Sequence, residues 1–461
     1  MRCVVVGGGL AGLASAVWLA EAGHEVVVLE RRGALGGRTV AMPQDQVDDV
    51  PDNGQHVLAS GYTHLPRFLR SIGTADRLAF PGHLTIRMPD GTARRIGSGP
   101  LGVLKVVVGD VPGVRGWDRF RTAVAQARLI GQAVRQPRDL DAITAEEWFD
   151  RVGLPETARV GLWNTVVIGL TGDKPSISSA KVPADLLVTG LRQAVRTRRA
   201  ISIGYPTVDL DSLIVRPASA AFDRLGVSVR TRAVVRGLEV EADPAGRRVV
   251  RGVRLSDGDV VAADAVVCAV PIWDMADLLE GLPEAQLVDR VVAELTPVPI
   301  VSVNLYLDRD IGMADWGEVI HGGEGVLEQV WDRQRMHGRT PRSSWLFSTT
   351  VSAAYELVGM RNDEIVAAQM AVLADRYPAA AGATVVHAHV VRMPRSTFAQ
   401  RPGTAGLRPP QATSVDGLVL AGDWTRTDWT TTMEGACQSA ARAVAVLVGS
   451  ATRRRPRVLG R

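Results

Sequence analysis

Apolar residues near the start of the chain follow the pattern of a strand, a helix and a second strand. Residues 3–6 (CVVV) form an uninterrupted apolar run, which is typical of a buried strand. Residues 10–22 are rich in alanine and leucine and end at Gly23, so they predict a helix, and residues 25–29 are a second apolar run. This order predicts a βαβ unit with parallel strands.

The rest of the chain alternates between regions with helical and strand periods. Glycine and short polar residues at 33–61 predict a loop region, and 62–200 is predicted to be mostly helical, most clearly at 117–134. Strands are predicted at 228–240, 248–255, 260–270, 299–307, 385–392 and 419–421, with a hairpin turn at 256–259 (SDGD). Helices are predicted at 362–375 and 433–448, and the arginine-rich tail from Ser450 is predicted to be disordered.

Composition narrows the class of protein. The 461 residues are 46% hydrophobic and 22% charged, with a net charge of +4, which suits a globular protein too long for one compact core. Aromatic residues are few and no recognition motif is present, so no nucleic-acid partner is predicted. The cysteines lie far apart without metal-ligand spacing, and no signal peptide or spanning apolar run is visible, so we expect a cytoplasmic protein without a metal site.

A glycine motif lies between the first predicted strand and helix. Gly7, Gly9 and Gly12 form GxGxxG, the context that dinucleotide binding requires. Gly7 permits the tight turn, Gly9 lets backbone approach a pyrophosphate, and Gly12 lets the helix pack on the strand. Leu10 and Ala11 open the helix, whose free N–H groups face the phosphate charge.

An acidic residue at the end of the second strand supports the same ligand. Glu30 is placed to accept hydrogen bonds from ribose hydroxyls and to repel a 2′-phosphate, and Arg31 beside it is also a predicted cofactor contact. A glycine-rich turn without a ligand is the alternative, and the position of Glu30 opposes it.

The segment 30–38 (ERRGALGGR) resembles the second fingerprint of the flavin-containing amine oxidase and phytoene desaturase superfamily. The resemblance implies FAD as the cofactor, bound around Gly36, Gly37 and Arg38, with the guanidinium on the pyrophosphate. Because no cysteine lies between residues 385 and 418, a thioether-linked flavin is not expected, and we predict non-covalent FAD.

Two further segments resemble the same superfamily. AGDW at 421–424 implies that Gly422 and Asp423 lie at the ribityl chain, and TMEGA at 432–436 implies a helix N-terminus at the flavin N1–C2 edge. In TMEGA, Thr432, Met433 and Ala436 are the predicted contacts. The segment 229–235 (VRTRAVV) resembles the strand that meets the adenine, so Val235 is either an adenine contact or an ordinary core residue.

The resemblance also bears on the reaction. Amine oxidases carry a tyrosine before MEGA and a lysine on the strand at 299–307, whereas this chain has Thr432 and no lysine there. DNGQH at 52–56 resembles the hydroxysqualene dehydroxylases, which implies reductive removal of an allylic hydroxyl. The alternatives are a carotenoid or polyprenyl desaturase, a natural-product amine oxidase, and a non-catalytic partner subunit.

DNGQH is implied to return toward the flavin ring through Gly54, Gln55 and His56. His56 is the candidate proton donor and Gln55 its candidate orienting or ring-contacting partner, although His56 acting only as a structural hydrogen-bonder remains equally open. Glu434 is expected to be a structural partner at a helix N-terminus rather than an acid catalyst.

These features together predict an α/β protein. A Rossmann-like FAD-binding domain of the glutathione-reductase and amine-oxidase type is expected from residues 1–75, 210–285 and 405–449, with an inserted mixed α+β substrate domain from 76–209 and 286–404. Residues 450–461 are the predicted disordered basic tail.

A lipid or other hydrophobic substrate implies contact with a membrane. Residues 101–108 are apolar, and two groups of arginines follow, at 115, 119, 121 and 128 and at 192, 196, 198 and 199. Peripheral binding at the inner face of the membrane and a solvated helix face are the two interpretations. The sequence assigns no electron donor or acceptor.

Overall fold

The computed structural model describes residues 1–42, 50–135, 138–197, 202–341 and 343–454. In chain order the strands are β1 Arg2–Val6, β2 Glu25–Glu30, β3 Leu58–Ala59, β4 Leu78–Ala79, β5 His83–Arg87, β6 Ala93–Gly97, β7 Ile203–Pro206, β8 Ser228–Thr231, β9 Val235–Ala242, β10 Arg248–Leu255, β11 Val260–Ala262, β12 Ala265–Cys268, β13 Pro297–Leu307, β14 Gly317–Ile320, β15 Gln329–Asp332, β16 Trp345–Val351, β17 Val385–Phe398 and β18 Leu418–Leu420.

The α-helices in chain order are α1 Leu10–Glu21, α2 His64–Ser71, α3 Pro100–Val107, α4 Trp117–Arg135, α5 Ala145–Val152, α6 Glu156–Ala158, α7 Asn164–Thr171, α8 Lys181–Thr197, α9 Arg216–Leu225, α10 Met275–Leu278, α11 Pro283–Glu294, α12 Arg333–His337, α13 Asn362–Arg376 and α14 Met433–Arg454. π-Helical turns precede α7 and α9, at Arg159–Trp163 and Asp211–Val215.

A five-stranded parallel sheet in the order β18-β12-β1-β2-β8 draws its strands from the start, the middle and the end of the chain. Side chains of β1 alternate between two cores: Cys3 and Val5 pack with α1, α9 and α14, and Val4 and Val6 pack with β10, α10 and α11. Burial on both faces explains the uninterrupted apolar runs in the sequence. The predicted α/β class is confirmed.

A second sheet has seven strands in the order β17-β13-β16-β15-β14-β5-β6. One face packs on α13 through Val303, Leu305, Phe347 and their neighbours. The opposite face carries Ser302 and Asn304, which meet the chain at residues 52–54. The second sheet therefore lies against the DNGQH segment.

The remaining helices, α3 to α8, form a separate core around Trp148, Phe149 and Leu129. A small antiparallel sheet, β3-β7-β4, joins the segment after DNGQH to the chain that leaves α8.

Several element boundaries differ from the sequence prediction. The strand predicted at 228–240 is broken at Arg232, whose φ of 57° turns the chain, so β8 and β9 belong to different sheets. The strand predicted at 260–270 is likewise divided into β11 and β12. Strands β4 to β6 lie in the region predicted to be mostly helical, and β14 to β16 carried no prediction.

The last helix continues to Arg454, whereas disorder was predicted from Ser450. Alanine at 451 and basic residues at the C-terminal end of a helix favour this extension. Residues 455–461 of the predicted tail, together with Arg198 and Arg199 of the second arginine group, lie outside the described residues.

Candidate flavin site

The glycine loop between β1 and α1 has two glycines that the fold itself requires. Gly7 has a φ of 103°, and a Cβ there would lie 2.8 Å from the carbonyl oxygen of Ala269. A Cβ at Gly12 would lie 1.9 Å from the carbonyl oxygen of Gly7. These contacts let α1 pack directly on the loop.

Gly9 is different because it faces open space. A Cβ at Gly9 would meet nothing nearer than the Cα of Gly37 at 4.0 Å. Gly9 is also the N-cap of α1. Among the described residues, no side chain caps this helix and its first turn has no acidic residue, so the N–H groups of Leu10 and Ala11 have no capping acceptor there. An open glycine at a free helix N-terminus fits a pyrophosphate.

Glu30 closes the loop from the end of β2. Its buried carboxylate accepts hydrogen bonds from the backbone N–H of Gly8 at 2.7 Å and of Arg32 at 2.8 Å. The carboxylate is thereby fixed beside the glycine loop, where an adenosine ribose would lie. Arg31 forms an ion pair with Asp274 at 3.0 Å, and its predicted contact with the cofactor stays a prediction.

The crossover from β8 to β9 passes the same end of the sheet. The backbone N–H of Ala233 donates to the carbonyl oxygen of Glu30 at 2.9 Å, and Val235 follows as the first residue of β9, partly buried against the core below. This position suits an adenine contact, which remains a prediction.

The second glycine pair lies directly against the first motif. The backbone N–H of Gly36 donates to the carbonyl oxygen of Gly8 at 2.8 Å, and a Cβ at Gly37 would lie 2.9 Å from the Cα of Gly9. Both glycines have positive φ, 110° and 60°. These contacts place Arg38 next to the open side of the glycine loop.

Arg38 joins the two ends of the chain. Its Nη2 donates to Oδ1 of Asp423 at 2.7 Å, and its Nη1 donates to the carbonyl oxygen of Ser396 at 2.6 Å. Arg38 and Asp423 are 385 positions apart in the chain, and both were predicted to contact the cofactor. The Arg38 side chain is 43% exposed, so it is accessible to a phosphate.

The turn after β18 holds Asp423 in place. Gly422 has a φ of 148°, and its N–H donates to Oγ of Ser439 on α14 at 3.0 Å. Thr432 then acts as the N-cap of α14, because its Oγ1 accepts from the N–H of Gly435 at 3.3 Å. Met433 and Ala436 are buried in the first turn of this helix.

Glu434 caps the N-terminus of α2, which is the kind of structural role that was expected for it. Its fully buried carboxylate accepts from the backbone N–H groups of Thr63, His64 and Leu65 at the start of α2, at 2.8–3.1 Å. Burial raises the pKa of Glu434, but the hydrogen bonds from His64 and Leu65 outweigh it, and the net pKa is lowered. The carboxylate is consequently charged and is no proton donor at neutral pH.

DNGQH is anchored by a buried ion pair that the sequence did not reveal. Asp52 and Arg333 are each 3% exposed at the side chain and lie 2.8 Å apart. Asp52 also accepts from the N–H of Leu210 at 2.8 Å, and its carbonyl oxygen accepts from Asn304 at 3.3 Å. The segment is thus tied to α12, to the second sheet and to the turn before α9.

Gly54, Gln55 and His56 follow from this anchor. Gly54 packs on β13, where a Cβ would lie 2.8 Å from Oγ of Ser302. Gln55 accepts from Arg333 and donates to the carbonyl oxygen of His56 at 3.0 Å, so its amide holds the loop. These bonds are to the backbone of His56 and to Arg333, and both roles predicted for Gln55 stay predictions.

The ring of His56 is held in one tautomer. Nδ1 lies 2.9 Å from the carbonyl oxygen of Gly54, which can only accept, so Nδ1 carries the hydrogen and Nε2 is an acceptor. Burial lowers the pKa of His56, with Arg38 and Arg333 adding to the effect, against the Gly54 bond and Asp52. A neutral imidazole with an acceptor Nε2 suits taking up a proton, which opposes the predicted donor role.

Buried guanidinium groups are the site features that sequence patterns missed. Arg333 and Arg408 lie outside every recognised motif, yet both bond to motif residues. Their sequence surroundings, WDRQR for Arg333 and GLRPP for Arg408, are ordinary for charged surface residues and give no signal of burial or of a partner.

The site is typical of an FAD-dependent oxidoreductase. It combines an open glycine loop at the N-terminus of α1, the fixed carboxylate of Glu30 and the N-terminus of α14. Residues 10–448 match the family described as flavin containing amine oxidoreductase, and the chain belongs to that family. FAD is its cofactor.

Several proteins with similar sequences are carotenoid desaturases. The chain is 25% identical over 461 residues to a 15-cis-phytoene desaturase of Glycine max, covering 95% of this chain and 78% of the relative. It is 25% identical over 457 residues to the 15-cis-phytoene desaturase of Synechococcus elongatus, covering 95% and 94%.

Solved structures show the same fold. An oxidoreductase from Methanosarcina mazei superposes with a TM-score of 0.71 at 16% identity, covering 96% of this chain and 99% of the other. Putrescine oxidase bound to putrescine superposes with a TM-score of 0.72 at 17% identity, covering 97% and 99%. Within the described residues, no helix is both long and apolar enough to span a membrane.

Proposed function

We propose that the protein is an FAD-dependent oxidoreductase of an unsaturated isoprenoid lipid, and that the reaction is desaturation. The observation that carries this proposal is similarity to phytoene desaturases over 95% of the chain, in both a plant and a cyanobacterium. The predicted main reaction, reductive dehydroxylation of hydroxysqualene, becomes the second candidate.

The residues of the site agree with an oxidation. Bound FAD supplies the acceptor for the two electrons removed from the substrate. Removing hydrogen across a C–C bond also releases a proton, and Nε2 of His56 is an acceptor without a hydrogen-bond partner among the described residues. Asp52, Arg333 and Gln55 hold the backbone of this segment, and the carbonyl oxygen of Gly54 holds the ring.

Aromatic side chains support an apolar substrate. Tyr62 and Trp429 meet edge to face with centroids 5.0 Å apart, beside the start of α14. Burial raises the pKa of Tyr62 to about 12, against its bond to Thr432, so the phenol is neutral. Thr432 in place of tyrosine, and a β13 without lysine, argue against an amine as the substrate.

The second candidate is supported by the resemblance of DNGQH to the hydroxysqualene dehydroxylases. That reaction needs reduced FAD and a proton donor for the leaving hydroxyl. The neutral, acceptor state of His56 does not provide such a donor.

The test is an anaerobic comparison of substrates with purified holoenzyme. We expect 15-cis-phytoene in liposomes, with a soluble quinone as electron acceptor, to give a product with a longer conjugated chain. Squalene formed from hydroxysqualene and chemically reduced FAD would instead establish the second candidate. Turnover of an amine with neither isoprenoid consumed would contradict both.

His56 has a matched control in His24, which lies at the opposite end of β2 from Glu30. His56→Gln is expected to lower kcat by about 10²–10⁴-fold if the ring accepts the proton, with FAD affinity unchanged. His24→Gln should leave both unchanged. Near-full turnover by His56→Gln would leave His56 with only its structural hydrogen bond.

We also propose peripheral contact with a membrane through α3 and the start of α4. Leu101 is 76% exposed, Trp117 is 71% exposed, and Trp117 stacks on Phe120 at 4.9 Å. No residue of α3 is buried. An apolar surface of this kind supports insertion of side chains among lipids.

Three of the arginines that the sequence offered for binding anionic lipid headgroups already have partners within the protein. Arg119 pairs with Asp110 at 3.7 Å, Arg121 pairs with Asp118 at 3.1 Å, and Arg128 donates to the carbonyl oxygen of Val152. We therefore expect binding to zwitterionic vesicles as well as to anionic ones. Leu101→Asp combined with Trp117→Ser should abolish co-sedimentation with either vesicle, and binding unaffected by these changes would contradict the proposal.

A further inference from the structure

Arg408 lies in the segment between β17 and β18, and its side chain reaches the loop that joins β18 to α14. Its buried guanidinium donates to the carbonyl oxygen of Asp423 at 2.7 Å, to Oγ1 of Thr427 at 2.7 Å and to the carbonyl oxygen of Trp429 at 2.8 Å. This loop carries Asp423 at one end and leads to Thr432 at the other. Arg408 therefore fixes the backbone between two flavin-facing segments.

The positive charge of Arg408 has no carboxylate of its own. Within the part of the chain that the structure describes, Arg408 forms no ion pair at contact distance; the nearby carboxylates of Asp423 and Asp428 are bonded to Arg38 and Arg442 and act on Arg408 only through space. The buried Nε has no hydrogen-bond partner there either. The buried Arg333, in contrast, pairs with Asp52 at 2.8 Å.

A buried cation without a counter-charge is costly unless a ligand supplies the anion. Burial lowers the pKa of Arg408 to about 10, against the charge of Asp423, so the group stays protonated at neutral pH. FAD gains two electrons and one proton on reduction, which leaves a negative charge on its ring system. The oxidised ring carries none.

We propose that Arg408 is a positioning residue for FAD whose charge favours the reduced, anionic cofactor. The N-terminus of α14 acts in the same direction from the other side of the loop. The inference depends on FAD and on the loop geometry, and not on which isoprenoid is the substrate, so it can fail without affecting the proposed function.

Three variants separate charge from structure. Arg408→Gln removes the charge, and Arg408→Lys keeps the charge but loses the planar fork. Arg442→Gln is the matched control, because Arg442 contacts the same loop from the surface, at the carbonyl oxygen of Arg426 and at Asp428. The readouts are the two-electron midpoint potential of bound FAD and the affinity for oxidised FAD.

In Arg408→Gln we expect reduced FAD to bind about tenfold more weakly relative to oxidised FAD, which corresponds to a potential lower by about 30 mV. Arg408→Lys should keep a potential near that of the wild type even where total affinity falls, and Arg442→Gln should match the wild type. An unchanged potential in Arg408→Gln, with affinity lost equally in both redox states, would overturn the proposal.

Wild type and Arg408→Lys also decide the matter if Arg408→Gln does not fold. Both proteins should hold FAD at a potential above that of free FAD titrated in the same buffer, because the charge is present in both. A potential at or below that of free FAD, or a tenfold fall in Arg408→Lys, would equally contradict the role of the charge.

Discussion

Gly9 and Gly12 belong to one motif but differ in what surrounds them. Alanine at position 9 would meet no protein atom within 4.0 Å apart from the Cα of Gly37, whereas alanine at 12 would place its Cβ 1.9 Å from the carbonyl oxygen of Gly7. We predict that Gly9→Ala keeps the apo stability within about 1 kcal/mol and loses FAD affinity. Gly12→Ala should lower the stability of the apoprotein itself.

Denaturant unfolding of both apoproteins and FAD titration of Gly9→Ala measure this difference. If Gly9→Ala binds FAD as tightly as the wild type, the open face of the loop does not receive the pyrophosphate.

Asp52 and Arg333 allow a second prediction for single residues. Arg333→Met leaves the Asp52 carboxylate buried without its cation, which should cost about 3–5 kcal/mol of unfolding free energy. Asp52→Asn combined with Arg333→Met should cost less than the sum of the single changes, since neither charge then remains unpaired. Urea denaturation of the four proteins measures the coupling.

The exposed pair of Arg361 and Asp363, with side chains 75% and 66% accessible, is the control. Arg361→Ala should have no measurable effect. Equal and additive losses at both pairs would show that the Asp52–Arg333 contact does not hold the DNGQH segment.

Functional residues could be predicted from the sequence where their role depends on residues nearby in the sequence. Gly7, Gly9 and Gly12 were recognisable because their spacing, a strand and a helix are all local. Arg333 was not, because its partner lies 281 positions away and either residue alone is an ordinary charged side chain. The protonation of His56 was not predictable for a related reason, since it depends on burial and on the bond to Gly54, and the donor role stays a prediction.

At the scale of elements, Glu434 connects the first turn of α14 to the start of α2. Its folded pKa is lower than the ordinary 4.5, so the carboxylate stabilises the fold above pH 4.5 and this contribution is lost as pH falls through the folded pKa. We predict that Glu434→Gln lowers the unfolding free energy by about 1–3 kcal/mol at pH 7. The difference from the wild type should shrink below pH 4.5.

Chemical denaturation across this pH range tests the cap. Glu147→Gln is a control, because Glu147 caps the exposed start of α5 at 2.9 Å from the N–H of Thr144. A deficit in Glu434→Gln that is the same at pH 7 and in acid would mean that the charge of Glu434 does not contribute.

Elements were predicted well where both faces of a strand are buried and poorly where tertiary contacts decide. β1, β2 and α1 follow from local pattern, since apolar runs and a terminating glycine determine them. β5 buries the polar residues Thr85 and Arg87 and β6 exposes Arg94 and Arg95, so neither sequence shows the alternation typical of a strand. The break at Arg232 is also invisible in the pattern, because VRTRAVV continues without a glycine or proline.

At the scale of the whole molecule, the cofactor site is assembled from distant parts of the chain. β1 and β2 come from the first residues, and β18 and α14 come from the last, yet they share one sheet and one core. The motifs at both ends indicated this closure, but the contacts that secure it, such as Arg38 with Asp423, emerged only from the structure. Folding of the site must therefore wait for both ends.

This arrangement predicts that FAD stabilises both ends together. A ligand that binds only the folded state at 100 times its Kd adds about 2.7 kcal/mol, so Tm should rise with the concentration of FAD. On adding FAD, hydrogen exchange should slow in parallel at residues 7–12 and 422–436, because a bound dinucleotide restrains both loops. The control is α13 on the far face of the second sheet, which should show no change beyond that caused by the overall gain in stability. Protection confined to the glycine loop would mean that residues 422–436 do not contact the cofactor. Only the glycine loop would then belong to the FAD site. Parallel protection that is lost in Gly9→Ala would link the two ends through the cofactor itself, since the direct Arg38–Asp423 bond is intact in that variant.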